Sequence, residues 1–180
     1  MKNVILAMVV LVAFVFPVFA EVLEPLGHAC DEAWIRGVKS RGTVIDDSSV
    51  DGGVRNIVVR TKVHDRPATI DYTCQGDVVI RQNILFKHEN ERDAQDTFET
   101  ERRSLTDAIG KPCWDTTRPS SPLKRVANKL GLDPGIHVHW QAGDHAVHLG
   151  LDPVGPGPDY WLVGLINSIE KDPVACDPPE

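Results

Sequence analysis

Residues 135–151, GIHVHWQAGDHAVHLGL, hold four of the chain's seven histidines. Gly143-Asp144 is a two-residue turn signal between two alternating runs, which predicts a hairpin of fixed register. Trp140 then faces Val147, His139 faces His148, Val138 faces Leu149, His137 faces Gly150 and Ile136 faces Leu151. Ile136, Val138, Trp140, Val147, Leu149 and Leu151 share one side, which must be the core. His137, His139, His148 and, one step on, Asp152 share the other. His145 falls on the core side and leaves the group.

Residues two apart on a strand are about 6.6 Å apart, and directly opposed Cβ atoms about 5 Å. Three imidazoles on such a triangle can converge on one ion at about 2.0–2.1 Å per bond. His137, His139 and His148 are therefore candidate ligands for zinc, with copper(II) a competitor for the same nitrogens. Asp152 is a fourth ligand or orients His137. Against this stand a plain solvent-facing polar surface and a pH-sensitive contact with a partner. Small residues at Ala146 and Gly150 would let something pack there.

Other chemistry is not encoded. The chain contains no G-x-S-x-G elbow, H-E-x-x-H helix or P-loop. A zinc-hydroxide enzyme would need a general base and a cleft, and the sequence locates neither. The segment Asp47-x-Ser49-x-Asp51-Gly52 opens like a calcium loop, but the closing twelfth position is Val58. An Asp-Gly turn accounts for the same residues.

The start of the chain sets the compartment. Lys2, the apolar run Val4–Phe16, Pro17 and Val18-Phe19-Ala20 have the layout of a secretory signal peptide over residues 1–20, with cleavage after Ala20. The remaining 160 residues carry 18 basic against 26 acidic side chains, a net charge near −8. That balance excludes nucleic acid, and any membrane contact beyond the signal peptide, as partners needing a basic face. Cys30, Cys74, Cys113 and Cys176 are even in number behind an export signal, which implies disulfides. Three pairings are open; Cys30–Cys74 with Cys113–Cys176 is the one adopted, at about 4 kcal/mol per bridge before strain.

The elements that position these residues follow from periodicity. Cys30, Trp34 and Val38 recur on one helical face ending near Gly42. Alternation then takes over: a short strand Thr43–Ile45, a turn DDSSVDGG, a strand Val54–Val63, a turn at His64–Pro67, a strand Ala68–Cys74, and another from Val78 to Phe86. Asn90–Ile109 reads as the longest helix, capped by Asn90 and stopped by Gly110. Ser121-Pro122 opens a short basic helix with Leu123, Val126, Ala127 and Leu130 on one side. Tyr160–Ile166 is a last apolar strand.

These readings predict a single exported α+β domain over residues 21–180. It is expected to be a mostly antiparallel sheet built from two helix-then-strands halves (28–88 and 89–169) with a tail, 170–180. Two or three helices should pack it and two disulfides staple it. The outline is similar to exported inhibitor and envelope-assembly modules, although no motif matches residue by residue. The expected function is a non-catalytic binding module, inhibitor- or immunity-like, that occludes a protein partner. A metal-binding protein using His137, His139, His148 and Asp152 is the alternative.

Overall fold

The computed structural model describes residues 23–117, 135–154, 159–169 and Cys176. The expected signal peptide, the short basic helix and most of the tail lie outside these residues. Two helices and eight strands follow in the order α1 (Glu32–Ser40), β1 (Thr43–Val50), β2 (Val54–Val63), β3 (Arg66–Gln75), β4 (Val78–His88), α2 (Glu91–Ile109), β5 (Trp114–Asp115), β6 (Ile136–Ala142), β7 (His145–Val154) and β8 (Tyr160–Ser168).

The strands form one antiparallel sheet in the order β1-β2-β3-β4-β8-β7-β6-β5. This corrects the expected fold of two helix-then-strands halves packed by two or three helices. Among the described residues, 54% are strand and only 22% helix, in two helices. The sheet continues without a break where β4 pairs with β8, from Arg81 opposite Ser168 to His88 opposite Trp161. The long helix is not confined to one set of strands either: it lies against β4, β6, β7 and β8, across that seam.

Alternation explains which face is covered. Ile57, Tyr72, Gln82, Asn167, Val147 and Trp140 form one cross-strand row, and Val59, Ile70, Ile84, Leu165, Leu149 and Val138 the next. Nearly all are almost fully buried, and a buried Leu, Ile or Phe contributes about 1.5–3 kcal/mol. Ile35 and Val38 of α1 and Ala94, Phe98 and Leu105 of α2 complete this core. Asp31 caps α1 by accepting from the Trp34 N–H, and Asn90 caps α2 by accepting from the Asp93 N–H. The indole of Trp140 donates to the Gly110 carbonyl at 3.0 Å, tying the end of α2 to the sheet.

Two polar residues interrupt the core rows, and the lead-in segment explains them. Gln82 and Asn167 are 1% and 3% exposed. The Glu24 N–H donates to Gln82 Oε1 at 3.0 Å, and Asn167 Nδ2 donates to the Glu24 carbonyl at 3.1 Å. Gly27 N–H then donates to the Val79 carbonyl, Val79 N–H to that of His28, and Cys30 N–H to that of Asp77. Glu24 thus lies over the covered face at the β4–β8 seam, while residues 27–30 bridge the start of β4 beyond the end of β8, with Leu26 buried among the core residues.

Several local expectations change. Asp46–Val50 continue β1 rather than forming a loop, so Asp47 and Ser49 are strand residues and the turn is confined to Asp51–Gly53. Asp47 pairs with Lys39 and with Arg55; these hydrogen bonds hold its carboxyl well below the usual carboxylate range. That removes the calcium-loop reading. Gly42 does not form a left-handed cap, since Arg41 is the C-cap and Gly42 is not at positive φ; glycine is needed there because a Cβ would lie 2.2 Å from the Arg60 carbonyl oxygen. The second turn is just His64-Asp65, both at positive φ (48° and 62°), with Arg66 and Pro67 already in β3. His64 meets Glu101 of α2 at 3.0 Å, and this glutamate is buried on a helix otherwise rich in solvated charge.

The disulfides are Cys30–Cys74 and Cys113–Cys176, with Cα separations of 6.2 and 5.1 Å. Both fall within the span a disulfide bridges. Two bridges suit an oxidising, exported setting.

Candidate functional site

The hairpin β6–β7 has the register that its turn and alternation dictate: His139 opposite His148, His137 opposite Gly150, Ile136 opposite Leu151. Gly143 is at φ 66° while Asp144 is not at positive φ, as a two-residue turn with glycine first requires. Val138, Trp140, Val147, Leu149 and Leu151 are buried on the helix side. His137, His139, His148 and Asp152 share the opposite face.

The side chains on that face form a chain rather than a triangle. His137 Nδ1 lies 3.1 Å from His148 Nε2. On the other edge of the same ring, His137 Nε2 lies 3.4 Å from Asp152 Oδ1. His139 does not complete a converging set: its ring stacks on that of His148, with centroids 4.2 Å apart and planes at 9°. Cofacial rings direct their in-plane lone pairs side by side, so this pair does not aim at one point. Accordingly, no group of three or more His, Cys, Asp or Glu is arranged for a metal among the described residues. Asp152 occupies the orienting position beside His137.

The neighbourhood explains this arrangement. Trp114 of β5 lies directly opposite His139 and its ring is 4.7 Å from that imidazole. β5 is fixed from both sides: Cys113 N–H donates to the His139 carbonyl and Thr116 N–H to the His137 carbonyl, at 2.9 and 3.0 Å. The His137 N–H in turn donates to Thr116 Oγ1 at 2.8 Å. Two glycines make the room. A Cβ on Gly135 would lie 2.6 Å from both His137 Nε2 and Asp152 Oδ1, and one on Gly150 would lie 3.0 Å from His137 Nδ1.

The histidine face is one end of a row crossing the whole sheet: Val58, Asp71, Asn83, Ile166, His148, His139 and Trp114 are successive cross-strand neighbours. Burial pushes the Asp71 carboxyl up from its ordinary value, with Arg81 opposing. The Oδ1 atoms of Asp71 and Asn83 are buried without a hydrogen-bond partner.

Sequence reasoning placed the three histidines and Asp152 on one face but missed Trp114 and Gly135. A two-residue strand leaves no periodicity, so Trp114 had no signal beyond its place next to Cys113. It also missed the free edge of β1. Val44, Ile45 and Val50 are three of the four large apolar side chains exposed among the described residues, at 41%, 48% and 56%.

Fold and site together define only a class: a disulfide-stapled antiparallel sheet with helices on one face and an aromatic–histidine stack on the other. Comparison with protein-family models, curated proteins and solved structures finds no match.

Proposed function

We propose that the protein is an exported, non-catalytic binding module, periplasmic or secreted, which captures an extended segment of a partner protein along β1. The supporting observation is the edge itself. β1 is eight residues long, pairs only with β2, and is exposed at every position but Ser48. A free strand edge offers unpaired N–H and C=O groups to an incoming strand, with flanking side chains to select it. Val44, Ile45 and Val50 supply apolar contact, and the acidic Asp46 beside them favours a partner strand carrying a basic residue. Among the described residues, the opposite end of the sheet is closed by a strand of only two residues, β5. A bulge between Val44 and Asp46 interrupts the register with β2, which limits uncontrolled edge-to-edge growth while leaving Asp46–Val50 in regular pairing. Occlusion of a partner in the way an inhibitor or immunity protein acts needs a rigid scaffold, and one continuous sheet stapled by two disulfides supports that reading.

A photo-crosslinking side chain at Ile45 of the mature protein, exposed to envelope or extracellular extract, tests the reading. Cross-links should map to one extended segment of one partner, and β1 amides should gain hydrogen-exchange protection in the complex. Val50→Asp and Ser48→Pro should weaken capture at least tenfold. Capture unchanged in both variants, or turnover of a small substrate by the pure protein without a partner, would overturn it.

A further inference from the structure

We infer that His137 and His148 chelate one divalent transition-metal ion of the zinc or copper(II) class, on the face away from the helices. The ligand atoms are His137 Nδ1 and His148 Nε2. Their 3.1 Å separation lies between the values for two nitrogens bound to one ion at about 2.0–2.1 Å, roughly 2.9 Å for adjacent corners of a square plane and roughly 3.3 Å along a tetrahedral edge. Each ring is already turned toward the other; binding releases the proton between them and tilts each ring by about 40°, because an ion at that bond length from both nitrogens lies off the line joining them.

Three features hold that geometry. Asp152 Oδ1 lies 3.4 Å from Nε2 on the far edge of the His137 ring, so its negative charge favours a proton on Nε2 and leaves Nδ1 as the nitrogen facing His148. Glycine at 135 and 150 leaves the space that the His137–Asp152 pair occupies; alanine at 150 would crowd the metal-facing nitrogen itself. His139, stacked on His148 and in tilted contact with Trp114, buttresses the second ligand rather than serving as a third. The site is therefore a two-nitrogen site with positions left for water or for a group brought by another molecule. This inference is independent of the β1 edge, which lies at the other end of the sheet.

The test is calorimetric titration of untagged mature protein with zinc chloride and with copper(II) chloride in separate arms. One equivalent of at least one ion should bind saturably. His137→Ala and His148→Ala should each weaken binding at least tenfold, and Gly150→Ala should weaken it with both ligands retained. His28→Ala, remote from the site, should leave it unchanged. In the zinc arm, side-chain NMR of the unaltered protein should shift the imidazole signals of His137 and His148 ahead of the other five histidines, a readout independent of whether any variant folds. Copper should quench fluorescence in the unaltered protein more than in Trp114→Phe. No saturable binding of either ion, or binding insensitive to both histidine substitutions with no selective imidazole shift, overturns the inference.

Discussion

Asp71 shows how one side chain reports on the uncovered face. It is a strand residue on that face, next to Asn83 across the ladder, yet its Oδ1 is buried and unpartnered. Burial raises its folded-state value above the ordinary carboxylate one, so the unfolded chain ionises more readily and the charge opposes folding above that range. Lowering the pH through the folded value protonates Asp71 in the native state and removes the penalty. Asp71→Asn should therefore raise stability at pH 7, with the gain falling away in acid, where both states are protonated. Thermal melts of the two proteins across that range check it, and an equal gain at pH 7 and in acid would refute the assignment. Asp47 has the opposite sign. Its carboxyl is held down by Arg55 and Lys39, so its contribution is present above the unfolded value and disappears as pH falls below it. The surface exposure of its partners keeps that contribution small.

At the scale of elements, the lead-in segment decides how the sheet's centre is filled. Read in isolation, residues 21–27 have no period and end in Pro25 and Gly27. Within them the Glu24 backbone meets one polar atom of each of two side chains set in an apolar layer, Gln82 and Asn167, which come from strands far apart in the chain but adjacent in the sheet. Gln82→Met keeps the volume and removes the acceptor for the Glu24 N–H and the donor to the Tyr72 hydroxyl. A loss of about 1–2 kcal/mol is expected, as for a buried group left unpaired. In protein lacking residues 21–26 the same substitution should be neutral or stabilising, because the group it strands is gone. Urea unfolding of the four proteins in a double-mutant cycle measures the coupling, and an additive result would show that the segment does not engage Gln82. The hairpin β6–β7 contrasts with this segment, because its register follows from neighbours in sequence alone.

For the whole molecule, the two disulfides act at different depths. Cys30 and Cys74 belong to the core, whereas Cys113 is exposed at the end of α2. Closing loops of 44 and 63 residues is worth about 4 kcal/mol each in the chain-entropy model. Access differs, however, and thiol exchange needs access. Mild reductant should open Cys113–Cys176 first and leave a folded protein with two free thiols, and Cys30–Cys74 should open only with global unfolding. Timed alkylation and peptide mapping would show the order; simultaneous reduction would count against a folded core around Cys30 and Cys74. The same contrast separates the ends of the sheet, a long free edge at β1 and a two-residue strand at β5 held beside a disulfide.

What the sequence determined by itself was local. Alternation of period two and a two-residue turn set the register of β6–β7, put three histidines and Asp152 on one face, and marked the cores of β2, β3 and β4. Even cysteine usage pointed to an oxidising setting. Tertiary structure decided the rest. Pairing of β4 with β8 joins residues some eighty positions apart, and no local period encodes that choice; it set which strands meet at the join and laid α2 across the seam. Strand continuity through Asp46–Val50 depended on a partner strand to accept it, so polar residues that read as a turn became an edge. The rings of the histidine face were set by the stacking of His139 on His148, by the tilted contact of Trp114 with His139, and by the absence of a Cβ at Gly135 and Gly150. Spacing placed those imidazoles together, and only packing turned two of them toward each other and laid the third flat.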